Sequence, residues 1–183
     1  MRREVAASTL AIFLSPALGV AGGKPLPPPP LTDEHQNPSG HVTFQTPADW
    51  NVTTKDPSRV DAWSPTDVGL RLVERQGEQG LDSFHVDCMM ERLAPPMETE
   101  PQVAYEYDFI GGEVNGHRAL DSAFAVAYDK EIRGHRQWRQ RNVSLVGSGR
   151  SLCVVVYAPA AVWKKSRESR ALVDAVLASV TIK

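Results

Sequence analysis

Apolar and polar residues alternate along much of the chain from residue 41 onward, a two-residue period that is typical of half-buried β-strands. Val42 and Phe44 share one side of the first strand, and a turn is expected at 47–49. The same pattern predicts strands from 50 and at 60–64, 69–74, 103–109, 118–128, 136–146 and 151–157. Glycine-containing turns are expected at 111–112, 115–116 and 147–149, because glycine permits the positive φ of hairpins.

Two segments follow the helical period instead. In residues 81–89 the apolar positions recur at helical spacing, although 84–88 also alternates as a strand would. After Pro159 the apolar positions between 162 and 180 fall on one side of a helix, and residues 181–182 are predicted to add a short edge strand. The nearly all-apolar run 153–157 predicts a central strand covered on both faces. We therefore expect an α+β domain.

The first 21 residues have the three parts of a secretory signal peptide. Arg2 and Arg3 are cationic, residues 5–14 are almost entirely apolar, and small residues precede Ala21. We expect cleavage after Ala21 and a periplasmic or secreted product; the alternative is an ordinary N-terminal helix. The apolar run is about half the length of a membrane span. The mature chain is therefore expected to have no membrane span. It is also expected to have no lipid anchor, because no cysteine precedes Cys88.

Residues 22–40 are predicted to form a linker, since they contain six prolines and favour an extended conformation. Residues 41–183 are expected to form a single domain, and a composition of 42% hydrophobic and 23% charged residues is in the ordinary globular range. Loss of Arg2, Arg3 and Glu4 with the signal takes the net charge from −2 to −3. That charge disfavours nucleic acid as the main partner.

The beginning and the end of this domain carry motifs of a known family. The opening motif is residues 41–50, His-Val-Thr-Phe-Gln-Thr-Pro-Ala-Asp-Trp, which contain a strand, a proline and a tryptophan. The ending motif consists of a hairpin at 147–149, the segment 153–159 and a helix running into 178–182. In these motifs most of 41–183 resembles the Mog1/PsbP-like superfamily, which includes the DcrB-type envelope proteins. The resemblance implies a twisted antiparallel β-sheet flanked by helices, an α–β–α sandwich. It also implies an accessory or binding role without enzyme activity.

Cys88 and Cys153 are the only cysteines, and an exported pair can form a disulfide. This bond would close a loop of about 65 residues and stabilise the fold by about 4 kcal/mol in the chain-entropy model. The alternative is two separate buried thiols that pack as small apolar groups. The distance between the two Cα atoms decides between these possibilities.

His85, Asp87 and Cys88 form one compact cluster of reactive side chains. On a helix His85 and Cys88 share a face, so the imidazole could lower the pKa of the thiol, or both could bind a metal ion. The alternative is a surface histidine beside a structural cysteine. No second ligand pair lies at suitable spacing, and the sequence lacks a nucleophile elbow, phosphate-binding loop, dinucleotide fingerprint or His-Glu-x-x-His motif. We therefore expect no cofactor and no metal site.

A basic stripe is predicted near the start of the strand 136–146. On a strand that included residue 133, Arg133, His135, Gln137, Arg139 and Arg141 would point one way, opposite to Arg136 and Trp138. Such a stripe could bind an acidic partner, a phosphate-bearing glycan or anionic lipid headgroups. The alternative is cross-strand pairing inside the sheet with acidic residues upstream, namely Glu98, Glu100, Glu106, Asp108 and Glu113.

These features favour an exported, non-catalytic binding or accessory module of the cell envelope, whose partner is an envelope or extracellular protein. Two alternatives remain. One is a carrier of a small ligand or metal ion that uses histidines brought together by folding. The other is an enzyme centred on His85, Asp87 and Cys88, which a disulfide at Cys88 would disfavour.

Overall fold

A computed structural model describes residues 30–91, 101–165 and 167–183. The predicted signal peptide, its cleavage after Ala21 and the first part of the predicted linker, residues 22–29, lie outside these ranges. Within them the elements follow in the order β1 (Asp33–Gln36), β2 (Val42–Thr46), β3 (Asn51–Asp56), β4 (Arg59–Trp63), β5 (Gly69–Gln76), α1 (Leu81–Met89), β6 (Pro101–Val114), β7 (His117–Ile132), β8 (His135–Gly147), β9 (Arg150–Pro159), α2 (Ala160–Lys165), α3 (Arg167–Ser179) and β10 (Thr181–Ile182).

Seven of the described strands form one antiparallel sheet in the order β3-β4-β5-β9-β8-β7-β6. Two runs of hairpins, β3 to β5 and β6 to β9, are joined where β5 pairs with β9. The hairpins of the second run turn at Asn115-Gly116, Arg133-Gly134 and Ser148-Gly149, where all six residues have positive φ, as type I′ turns require. A smaller sheet has the order β1-β2-β10. The predicted α+β class and antiparallel sheet are confirmed.

Strand β9 lies at the centre of the large sheet and is buried on both faces. Val154 and Val156 belong to a core formed with α3 and the smaller sheet, and we call this side of the large sheet the α3 face. Cys153, Val155 and Tyr157 belong to a second core formed with α1 on the opposite side, the α1 face. The two faces explain why nearly every residue of β9 is apolar. The layers are those of an α–β–α sandwich.

The described domain begins before the boundary expected at residue 41. Strand β1 lies inside the predicted linker and pairs along its whole length with β2. The loop that follows is fixed to the large sheet, because Asn37 Nδ2 and Ser39 Oγ each donate to Glu74 Oε2 at 2.5 Å. Burial opposes ionisation of Glu74, but these hydrogen bonds and Arg150 outweigh it and lower the pKa of the carboxyl. The predicted linker therefore ends earlier than its sequence indicated.

A second correction concerns the glycine pair Gly111-Gly112, which was expected to form a turn. Both residues lie inside β6, opposite Leu120 and Ala119 of β7. The turn of this hairpin is made by Asn115-Gly116, whose φ angles of 51° and 80° match a two-residue type I′ turn. One hairpin needs only one turn, so the glycine pair becomes part of the strand.

Candidate functional site

A disulfide joins α1 to the central strand of the large sheet. The Sγ atoms of Cys88 and Cys153 are 2.06 Å apart and their Cα atoms are 5.4 Å apart, within the range for a disulfide. Both residues are buried. The predicted pairing is confirmed, and it uses both cysteines of the chain. While the bond is intact, Cys88 offers no thiolate for catalysis or for metal binding.

His85 lies between α1 and the sheet, with a serine hydroxyl at each ring nitrogen. Nδ1 is 2.8 Å from Ser144 Oγ, Nε2 is 2.9 Å from Ser122 Oγ, and the residue is fully buried. A neutral imidazole donates through one nitrogen and accepts through the other, and a hydroxyl can serve either role. Burial lowers the pKa of His85, although Asp121 and Asp82 oppose this effect. The alternative of a surface histidine beside a structural cysteine is therefore wrong for the histidine and right for the cysteine. Asp87, the third residue of the cluster, is exposed.

The buried histidine is expected to make the stability of the domain depend on pH. An unfolded histidine has a pKa near 6.5, so below that pH the unfolded chain binds a proton that folded His85 resists. The contribution of His85 to the free energy of unfolding is therefore complete above about pH 6.5. It is lost as the pH falls from there towards the lower pKa of the folded state.

Urea unfolding at pH 7.5 and pH 5.5 measures this effect. The wild-type protein is expected to lose up to about 1 kcal/mol through His85 over this interval. His85→Gln, which can still hydrogen-bond to the two serines, should lose correspondingly less between the same two pH values. An identical pH dependence in the variant would show that protonation of another group is responsible.

Arg133 and His135 lie where two turns meet at one end of the large sheet. Arg133 Nε donates to Asp67 Oδ1 at 2.5 Å, and the guanidinium lies 4.7 Å from the centre of the Trp63 ring. His135 Nε2 is 3.5 Å from Asp67 Oδ2, and its ring packs edge-on against Trp138. These contacts tie the β4–β5 turn to the β7–β8 turn.

Arg141 lies on the α3 face and joins the sheet to α3. Its Nη2 is 2.6 Å from Asp121 Oδ2 on β7, and its Nη1 is 2.5 Å from Asp174 Oδ1 on α3. Burial opposes the charge on Arg141, but the two carboxylates outweigh it and raise the pKa of the guanidinium. Arg139 is half-buried on the same strand, and in the strand register it lies opposite Ala125 of β7 and Ala158 of β9.

The predicted basic stripe is therefore divided between two places. Arg133 lies in a turn with φ of 50°, not on a strand, and the acidic partners of Arg133 and Arg141 are aspartates that the sequence did not single out: Asp67, Asp121 and Asp174. Of the acidic residues expected to pair with the stripe, Glu98 and Glu100 lie outside the described residues. Binding of a partner by Arg133, His135, Arg139 or Arg141 stays a prediction.

A polar cluster on the α1 face was missed in the sequence. Arg71 Nε donates to Asp61 Oδ1 at 2.6 Å, Arg59 Nη2 donates to Asp61 Oδ2 at 3.1 Å, and the Arg71 guanidinium lies 5.8 Å from the Tyr157 ring centre. Burial opposes ionisation of Asp61, but the two arginines outweigh it and lower the pKa of the carboxyl. The sequence did hold one indication, because strand alternation directs Asp61 to the other face of the sheet from Val60 and Ala62. Only the register of β4 with β5 brings Asp61 to Arg71.

A groove of about 510 Å³ lies between the start of α1 and the β6–β7 hairpin. It is lined by Leu81, Asp82, Gly111, Gly112, Glu113, Arg118, Ala119 and Leu120. A Cβ atom at Gly112 would meet nothing within 4 Å, and one at Gly111 would meet only the Leu120 side chain, at 3.6 Å. The glycine pair thus leaves space along this part of β6.

In the described ranges, no group of three His, Cys, Asp or Glu side chains is arranged to bind a metal ion. None of the helices in those ranges combines the length and the apolar character that crossing a bilayer demands.

No protein-family model and no curated protein sequence matches the chain, whereas several solved structures do. Cyanobacterial PsbP (CyanoP) from Synechocystis sp. PCC 6803 is 10% identical with a TM-score of 0.54, over 91% of this chain and 99% of CyanoP. The Ran-binding protein Mog1p of Saccharomyces cerevisiae is 9% identical with a TM-score of 0.51, over 84% of this chain and 96% of Mog1p.

A crystal structure from Bacteroides thetaiotaomicron VPI-5482 is 10% identical with a TM-score of 0.51, over 82% of this chain. The matched region is 48% of that protein, so the present chain spans about half of its length. At these identities the likeness concerns the fold alone. It agrees with the resemblance seen at the two ends of the sequence, and this chain has a Mog1/PsbP-like fold.

Proposed function

We propose that this protein is an exported, non-catalytic binding or accessory module of the cell envelope. The observation that carries the proposal is the disulfide between Cys88 and Cys153. Disulfides persist mainly in oxidising compartments outside the cytoplasm, so this bond supports the export that the N-terminal sequence predicts. It also occupies the thiol of the cluster in which an enzyme site was considered, which favours binding over catalysis.

The surroundings of His85 support the same choice. A general base must reach the proton that it abstracts, but the ring of His85 is fully buried and both of its nitrogens face serine hydroxyls. The fold is compatible with protein binding, since one similar structure is that of a Ran-binding protein. For the present chain the proposed partner is an envelope or extracellular protein.

Export and oxidation can be tested together by expressing the full chain in a bacterium and measuring intact masses in each cell fraction. We expect a periplasmic product that begins at Gly22, does not react with a thiol reagent, and is lighter than the reduced form by the two hydrogens lost on oxidation. Leu10→Arg, which interrupts the apolar run of the signal, is the control and should keep the chain in the cytoplasm. Uncleaved wild-type chain in the cytoplasm, with Met1 present and both thiols reactive, would contradict the proposal.

A further inference from the structure

We propose that the outer edge of β6 is the docking surface of this module, and that an extended, basic segment of a partner protein binds there as an additional strand. This inference rests on the proposed function and deepens it by giving the binding role a surface and a kind of partner.

Strand β6 offers an unusually long template for such pairing. It has 14 residues, Pro101–Val114, and within the described part of the chain its ladder partner is β7. Globular proteins usually shorten, bulge or cover their edge strands, because a free row of N–H and C=O groups recruits another strand. The register of β6 with β7 shifts between Ala104 and Asp108. The stretch 109–114 continues without interruption, so a regular edge remains there.

The turn next to this stretch defines which backbone groups face outward. A two-residue type I′ turn is closed by a hydrogen-bonded pair, here Val114 and His117. Hydrogen-bonded and non-hydrogen-bonded pairs alternate along an antiparallel ladder, so Gly112 bonds to β7 and Gly111 and Glu113 do not. The N–H and C=O of Gly111 and Glu113 are therefore directed to the outer edge, where a partner strand can reach them.

The glycine pair keeps this edge accessible. Glycine in a strand interior is less favourable than alanine, and it is found where another backbone or a ligand approaches closely. Gly111 is exposed, and together with Gly112 it borders the groove of about 510 Å³ beside α1. A partner strand at this edge could place one side chain in that groove.

Charge favours a basic partner. The sequence of β6 contains Glu106, Asp108 and Glu113 and no lysine or arginine. Beyond β6, the groove is lined by one further acidic residue, Asp82, and one basic residue, Arg118, so the acidic residues of β6 remain in excess. Two copies of β6 paired with each other would bring like charges together, which is unfavourable across strands. A basic segment of another protein therefore fits the edge better than a second copy of this chain does.

Two synthetic peptides provide the probe, an alternating lysine–valine octapeptide and the matching glutamate–valine octapeptide, each carrying a fluorescent label. Fluorescence anisotropy with the oxidised mature protein should show saturable binding of the basic peptide, at least tenfold tighter than binding of the acidic one. Gly111→Pro removes one outward N–H, and proline is tolerated where an edge N–H faces solvent. We expect it to weaken binding of the basic peptide about tenfold. Gly111→Ala, the matched control, keeps that N–H and adds only a Cβ atom beside the groove, so it should weaken binding clearly less than Gly111→Pro does.

Amide hydrogen exchange gives a second readout that does not depend on any variant. The bound basic peptide should slow exchange at Gly111 and Glu113 and leave the rate at Gly112 nearly unchanged. Equal affinity of the Gly111→Pro variant, equal binding of the acidic peptide, or no change in exchange at Gly111 would each overturn the inference. So would a concentration-dependent dimer whose contact slows exchange at Gly111. None of these results affects the export experiment, so failure of the edge is distinguishable from failure of the proposed function.

Discussion

The variant Cys88→Ala/Cys153→Ala is expected to lose about 4 kcal/mol of unfolding free energy. The disulfide closes a loop whose ends are 65 residues apart, and in the chain-entropy model its removal frees the unfolded chain by about that amount. The bond also attaches α1 to the central strand, so the helix should loosen first. Since single domains are stable by only about 5–15 kcal/mol, the loss should be evident in a urea unfolding curve monitored by tryptophan fluorescence.

Reduction of the wild-type protein supplies the control for this experiment. Dithiothreitol should lower the unfolding midpoint of the wild type nearly to that of the double variant, and it should leave the double variant unchanged. A difference of less than about 1 kcal/mol between the oxidised and the reduced wild type would mean that packing alone fixes α1 on the sheet.

The second large effect is expected at Arg141. Arg141→Met should lower the free energy of unfolding by about 3 kcal/mol, because it leaves the carboxylate of Asp121 poorly hydrated and without its cation. The side chains of Arg141 and Asp121 are only 15% and 13% exposed. Thermal and urea unfolding of the variant measure the loss.

The two carboxylates that contact Arg141 form a matched pair of controls. Asp174 is 55% exposed, so Asp174→Asn should cost less than about 1 kcal/mol, as exposed ion pairs do. Asp121→Asn should cost clearly more. The double variant Arg141→Met/Asp121→Asn should cost less than the sum of the two single changes, because no charge is then left without its partner. Additive costs would show that the buried pair contributes nothing specific.

Much of the fold could be predicted from local sequence pattern. Strands β2 to β5, helix α1 and the central run 153–157 all have a period that matches their observed structure. The turns at 115–116 and 147–149 were also evident, since each contains a glycine at the position where a hairpin needs positive φ. In these segments the local preference and the tertiary environment agree.

The missed features depend on contacts between distant segments. The composition of β1, Asp-Glu-His-Gln, has no strand pattern, and its conformation depends on β2. Asp61 meets Arg71 only through strand register. The predicted basic stripe is interrupted because Arg133-Gly134 turns the chain. A positive φ at an arginine is uncommon and cannot be predicted from the residue type alone. The candidate edge at Gly111 was not predicted, because the glycine pair that leaves it accessible was interpreted as a turn.

The topology of the large sheet joins its two runs of hairpins only after β9 has been made. Strand β5 gains its second neighbour only when β9, residues 150–159, has been synthesised, and β2 gains one of its neighbours only with β10, residues 181–182. Contacts of such long sequence separation form late. On the proposed export route the chain must stay unfolded while it passes through a translocation channel, and this order of assembly favours that. The cysteines follow the same order, because Cys88 can form its intramolecular disulfide only after Cys153 has been made.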